Sequence, residues 1–157
     1  MHLPIINAKL KLDSKGRFTL PKEIQRFFEV IEINTLVGFA SFGNEGGLTL
    51  SKTQDYQQMI SSHLTNPLDP KSRLFAMAVC STATTISIDK GAKVLVPKNL
   101  RDLLGFDDEI QLFSTGSWVE VWSYKTWREM AYPNALEAWT RLNEVQPTTS
   151  SPDELTP

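Results

Sequence analysis

A short basic turn occurs twice in this chain, and its repetition restricts the possible folds more than any other feature. Leu10-Lys11-Leu12-Asp13-Ser14-Lys15-Gly16-Arg17-Phe18-Thr19-Leu20-Pro21 leads into Lys22 and the apolar residues Ile24, Phe27 and Phe28. It returns as Ile86-Ser87-Ile88-Asp89-Lys90-Gly91-Ala92-Lys93-Val94-Leu95-Val96-Pro97, leading into Lys98 and Leu100, Leu103 and Leu104. Asp13 and Asp89, like Pro21 and Pro97, stand 76 residues apart. Downstream, Leu48-Thr49-Leu50-Ser51 is similar in pattern to Val119-Glu120-Val121-Trp122-Ser123, and aligning Ser51 with Ser123 gives an offset of 72. The second copy is then four residues shorter in its middle. Two copies of a unit about 70 residues long are too few and too long for a solenoid. They suit one pseudo-symmetric domain in which each unit completes the core of the other.

Local patterns place the elements. Ala8, Leu10 and Leu12 alternate with Lys9, Lys11 and Asp13, the period of a half-buried strand. Asp13-Ser14-Lys15-Gly16 is turn chemistry, because Asp bonds its own backbone and Gly accepts positive φ. The alternation at Arg17 to Leu20 then predicts a hairpin or a strand-turn-strand, and Pro21 suits the first position of a helix with Ile24, Phe27 and Phe28 on one face. Residues 31–42 and 47–50 are expected to be paired strands around the glycine-rich turn at 43–47. Ser51 is a candidate cap for a helix carrying Tyr56, Met59, Ile60, His63 and Leu64 as core contacts. A further helix is expected from Asp69-Pro70. In the second copy the spacing predicts a strand over 82–88, a turn over 89–93, a helix over 97–104 stopped by Gly105, and a hairpin over 110–122. A last helix from about Ser123 is expected to be interrupted by Pro133, and residues from 146 on have no apolar pattern and are expected to be disordered.

The charge is unevenly spread. The net charge is −2, yet residues 1–26 carry six cations against two acids, and residues 86–101 carry four against one. Residues 102–157 carry three cations against ten acids. The cations thus collect in the two copies of the turn, where a local positive patch can steer an anion. Arg17 has the planar fork that bonds a guanine edge, and lysines neutralise phosphates.

Enzyme chemistry is poorly supported. His2 lies near the terminus, and His63 reads as a core histidine. No zinc spacing or nucleophile elbow is present, and Asp107-Asp108-Glu109 reads as a solvated loop. The glycine-rich turn lacks the following Lys-Ser/Thr of a phosphate loop. Neither a metal nor a cofactor is expected. Cys80, the one cysteine, sits among apolar residues and reads as a small buried side chain, which fits a reducing cytoplasm. No apolar run approaches the roughly 20 residues needed to span a bilayer.

The turn Leu12-Asp13-Ser14-Lys15-Gly16-Arg17-Phe18-Thr19-Leu20-Pro21 resembles the Asp-x-x-Gly-Arg motif of the MraZ proteins, bacterial transcriptional regulators of the division and cell-wall gene cluster. The second copy, the 66–74 segment, and Trp118 to Trp122 with Trp127 extend the resemblance over about residues 5–143. The resemblance implies an α+β fold. Two tandem swapped-hairpin (double-split β-barrel) units of the AbrB type would form one intramolecular pseudo-dimer, with added helices. The units would be residues 1–65 and 82–145, joined by a helix at 66–81 and followed by a tail at 146–157. It also implies a cytoplasmic, nucleoid-associated repressor that binds short repeated sites in double-stranded DNA upstream of its own operon. It implies a homo-oligomer, a ring, with no membrane partner.

The family's DNA-contacting arginine maps onto Arg17 and its basic neighbour onto Lys15. The candidate DNA-binding set is Arg17, Lys15, Lys11, Lys9, Ser14, Lys90 and Lys93. Asp13, Gly16, Asp89 and Gly91 are expected to build the turns. The second copy departs from the motif, with Ala92-Lys93 in place of Gly-Arg and its glycine one place earlier. Lysine keeps the charge but loses the fork, so the first turn is expected to read bases and the second to add charge or structure. Two other readings compete: an AbrB-like antitoxin, and a protein-interaction module with no DNA role.

Overall fold

The computed structural model describes residues 2–40, 46–63 and 66–149. The start of the glycine-rich turn at 43–45, Leu64, and the expected tail from residue 150 on lie outside the described residues. The first copy supplies β1 (Asn7–Lys11), β2 (Arg17–Thr19), α1 (Lys22–Val30), β3 (Thr35–Ala40) and β4 (Gly47–Lys52). Helices α2 (Thr53–His63) and α3 (Pro70–Thr82) follow. The second copy supplies β5 (Thr84–Ser87), β6 (Lys93–Leu95), α4 (Lys98–Leu104), β7 (Glu109–Ser114) and β8 (Val119–Ser123). The chain continues through α5 (Tyr124–Thr126), a π-turn (Trp127–Ala131) and α6 (Tyr132–Thr149). The fold is α+β with antiparallel pairing.

Six strands form one sheet in the order β1-β7-β8-β4-β3-β5, and β2 and β6 form a separate two-stranded ribbon. Exchanging the strands of one copy for those of the other returns the same order read backwards. Among the described residues only β3–β4 and β7–β8 are local hairpins. Among the described residues every other pairing of strands crosses between copies, β1 with β7, β5 with β3, β2 with β6, and β4 with β8, while an isolated bridge from Ile88 to Val94 stays within the second copy. The Asp13 turn is therefore a strand-turn-strand, because its two flanking strands leave for different sheets.

The register refines the repeat. Leu36 opposes Ile86 and Ile110 opposes Leu10, the same pair under offsets of 76 and 74. Gly38 opposes Leu50 and Leu112 opposes Val121, so Leu50 corresponds to Val121 at an offset of 71. The offset of 72 read from the two serines would set Leu48 against Glu120 and reverse the sheet faces, since side chains alternate with a period of two. Two residues are thus lost between the first helix and the third strand, and three in the hairpin loop.

One face of the sheet meets the ribbon, α1 and α4. Phe18, Leu20, Ile24, Val94, Val96 and Leu100 pack there on Leu36, Leu48, Leu50, Ile110, Leu112 and Val119, all essentially buried. Burying each such side chain contributes about 1.5–3 kcal/mol. On the other face, α2 and α3 lay Tyr56, Met59, Ile60, Phe75 and Val79 over Val37 and Phe39.

Several local expectations change in this setting. α2 covers the sheet from outside and has no fully buried residue. His63 is exposed, stacked on Phe75 with ring centroids 4.3 Å apart, so it is not a core histidine. Cys80 is exposed as well, because Val79 takes the inward position on α3; its sulfur accepts a hydrogen bond from the Tyr56 hydroxyl at 3.3 Å. Ser51 lies inside β4 and donates to the Lys52 carbonyl rather than capping a helix. Pro21 and Pro97 precede their helices with extended ψ, in the cap place rather than at the expected first helical position. Asp69 does cap α3, accepting from the Ser72 N–H at 3.1 Å, and Gly105 ends α4 in the left-handed conformation. Thr82 belongs to α3, so β5 starts two residues later than expected. Pro133 does not break the last helix. The π-turn immediately before it widens the backbone where the proline ring would strike the carbonyl of Glu129, and the helix continues through Thr149, three residues past the expected start of the tail.

Candidate nucleic-acid interface

Both turns are built by an aspartate. The Asp13 Oδ1 accepts the backbone N–H groups of Lys15 and Arg17, each at 2.9 Å, and the Gly16 N–H donates to the Asp13 carbonyl at 3.0 Å. In the second turn the Asp89 Oδ1 accepts the N–H groups of Gly91 and Lys93, each at 2.8 Å, and the Ala92 N–H donates to the Asp89 carbonyl at 2.9 Å. The left-handed position of the first turn is Gly16 at φ 86°. In the second turn it is Ala92 at φ 60°. Gly91 is thus not the residue that frees the second turn. That position is fixed by its place in the hydrogen-bonded loop, and alanine occupies it under strain.

The turns flank the ribbon. Arg17 opposes Leu95, Phe18 opposes Val94, and Thr19 opposes Lys93. The Leu20 N–H donates to the Ala92 carbonyl and the Val96 N–H to the Gly16 carbonyl, so each turn is tied to the far end of the other copy's strand. Phe18 and Val94 point into the core. Alternation turns Arg17, Thr19, Lys93 and Leu95 outward. Arg17 and Lys93 are diagonal neighbours, which in such a pair stand about 7–8 Å apart.

Asp13 also grips the Arg17 side chain. The Arg17 Nε donates to the Asp13 Oδ2 at 2.9 Å. Among the described residues, no hydrogen bond engages the two terminal nitrogens of that guanidinium. The Arg17 backbone N–H, the Arg17 side chain and the Lys15 N–H together hold the Asp13 carboxyl down at about 2. Asp13 therefore stays charged and leaves the outer edge of the arginine fork presented.

The other candidates are placed unequally. Ser14, Lys15 and Lys90 are exposed on the turns, and Lys93 is half-buried on the ribbon. Among the described residues, Lys15, Lys90 and Lys93 have no carboxylate partner within 4.0 Å. Lys9 lies away from the turns on β1, 2.8 Å from Glu109 and 4.0 Å over the ring of Tyr124. The hydrogen bond to Glu109 raises the Lys9 pKa and lowers that of Glu109. Lys11 opposes Glu109 across the sheet. The structure thus groups the turn and ribbon cations, ties Lys9 to an acid, and sets Lys11 opposite that acid in the register.

Two kinds of residue at this surface escaped the sequence reading. Thr19 and Leu95 share the outer face of the ribbon, which only the cross-copy register reveals. Arg101 reaches from α4 to the first turn: a Cβ on Gly16 would lie 2.5 Å from its guanidinium carbon, and its Nε donates to the Val96 carbonyl at 3.0 Å. The available signal was the repeat itself, which aligns Arg101 with Gln25.

Known proteins provide independent comparisons. No protein-family model matches the chain. Transcriptional regulator MraZ of Lachnoclostridium phytofermentans is 25% identical over 85% of this chain and 90% of its own length. That of Thermomicrobium roseum is 28% identical over 80% and 85%, and that of Hydrogenovibrio crunogenus 26% over 90% and 92%. The solution structure of PHS018 from Pyrococcus horikoshii superposes with a TM-score of 0.33 at 15% identity, covering 73% of this chain and 84% of that one, which is too loose to define a fold. Over nearly its whole length the chain is thus similar, at 25–28% identity, to relatives that share the name transcriptional regulator MraZ.

Proposed function

We propose that the protein is a DNA-binding transcription regulator, a repressor that reads short repeated sites upstream of its own division and cell-wall operon through the outer face of the β2–β6 ribbon. The observation that carries this is Arg17, held at Nε by Asp13 with its terminal nitrogens presented beside the exposed face of Thr19, Lys93 and Leu95. The major groove of B-DNA, about 12 Å wide, admits a two-stranded ribbon, and an arginine fork matches the O6 and N7 acceptors of guanine. Leu95 and Thr19 suit a thymine methyl. Lys15, Lys90 and Lys93 neutralise phosphates, with Ser14 as a neutral contact. Lys9 contributes less, since Glu109 already balances it, and Lys11 lies on β1 away from the ribbon face. The relatives' shared name supports the regulatory role.

The exchange-symmetric strand order supports reading the fold as a swapped-hairpin pseudo-dimer, with residues 1–65 and 82–145 as its units and 66–81 as the connecting helix. We read the working form as a ring of identical chains. α6 supports this: Tyr132, Leu136, Trp139 and Leu142 form an exposed stripe at helical spacing on a helix packed chiefly against its own π-turn. A second copy is the occupant that a repeated operator calls for, because symmetric repetition multiplies avidity on repeated sites.

The test is fluorescence anisotropy with the duplex upstream of the protein's own gene against a scrambled duplex of equal length. Preference for the upstream duplex is the expected result. Equal binding to both at every salt concentration would overturn the reading.

A further inference from the structure

Arg101 occupies a position that neither the turn motif nor the ribbon accounts for. It belongs to the second copy, yet its guanidinium lies against the backbone of the first turn. A Cβ on Gly16 would meet its Cζ and Nε at 2.5 Å and its Cδ at 2.9 Å. Gly16 is thus needed twice, for its positive φ and to leave room for this side chain. The Arg101 Nε is tethered to the Val96 carbonyl, and Val96 in turn donates its N–H to the Gly16 carbonyl. The guanidinium is therefore fixed one residue from Arg17. Among the described residues, no carboxylate lies within 4.0 Å of it. The nearby acid on its own helix, Asp102, pairs with Lys98. The pseudo-symmetric position holds Gln25, whose Nε2 donates to the Leu20 carbonyl. The same backbone tether is thus made at both ends of the ribbon, and only one end carries the extra charge.

A tether that glutamine satisfies does not need a cation. A part-buried positive charge without a carboxylate, held beside the arginine proposed to read a base, is suited to a phosphate, which guanidinium binds through its free nitrogens. We infer that Arg101 is a phosphate-binding residue of the first half-site, supplied by the second copy of the repeat to the turn of the first. It clamps the backbone next to the base that Arg17 reads and makes the two ends of the ribbon unequal. The inference rests on the DNA reading above and adds to it a residue and an orientation on the operator.

The test compares wild type, Arg101→Gln, Gln25→Arg and the control Lys71→Gln, a substitution on α3 away from the ribbon. The probe is the upstream duplex, titrated across a salt series. Each phosphate contact contributes about 0.9 to the slope of log affinity against log salt. Arg101→Gln should make that slope less steep by about one, with an unchanged melting temperature because glutamine keeps the tether. Gln25→Arg should steepen it by a similar amount, and Lys71→Gln should leave it alone. An unchanged slope in Arg101→Gln, with or without a lowered melting temperature, would make Arg101 a packing group and overturn the inference. Failure of wild type to prefer the upstream duplex would instead overturn the DNA reading beneath it.

Discussion

Asp13 performs two tasks with one carboxylate. Its Oδ1 closes the turn on two backbone N–H groups, and its Oδ2 aims Arg17. Asp89 closes its turn in the same way, but no ion pair joins it to Lys93. The turn-building role was legible at both positions because an aspartate that starts a turn acts on residues two and four places on, within reach of sequence alone. The aiming role was not legible, because it depends on a rotamer. The pKa of Asp13 makes it testable. The carboxyl is held at about 2 in the fold against an ordinary value of 3.8. A depressed folded-state pKa contributes stability above the unfolded value and loses it as pH falls through the folded value. The difference in melting temperature between wild type and Asp13→Asn should hold steady above pH 5 and fade as the pH drops from about 4 to 2. A difference that does not vary over that window would show that the charge of Asp13 adds nothing to the turn.

At the scale of elements, strands and helices were legible where their chemistry is local, and partners were not. The alternation in β1 and the apolar triplets of α1 and α4 announced themselves. That β2 would find β6, 76 residues away, could only be inferred from the repeat, since pairing between distant strands leaves no local mark. The same distance explains the misplaced histidine and cysteine: the periodicity of α2 and α3 indicates an apolar side but not how much of it the sheet covers. The second turn provides an element-scale prediction. Ala92 sits at φ 60° where the first turn has glycine. Glycine there relieves the Cβ clash and gives back part of the gain as unfolded-state entropy. Ala92→Gly should stabilise the protein by about 0.5–1 kcal/mol, a rise of roughly 1–4 °C in melting temperature for a chain of this size. A fall in melting temperature would mean that the left-handed alanine is not strained.

For the whole molecule, the duplication carried the reading. It predicted that each unit completes the other, and the exchange-symmetric sheet has that property. The last helix lies outside the symmetry, and its expected break at Pro133 is replaced by a π-turn that carries an apolar stripe outward. If that stripe joins neighbouring chains, Trp139→Glu with Leu142→Glu should reduce the mass measured by light scattering to that of a single chain, while the fold stays intact by circular dichroism. An unchanged mass would place the contact elsewhere.

The most direct measurement of the central claim is the affinity of wild type, Arg17→Ala and Arg17→Lys for the upstream and scrambled duplexes at one fixed salt concentration. A good bidentate contact discriminates by about 1–3 kcal/mol, or roughly five- to 150-fold. Arg17→Ala should lose most of the preference for the upstream duplex, and Arg17→Lys should keep the charge without restoring it. Preference retained in Arg17→Ala would contradict the account, because another part of the surface would then be reading the sequence.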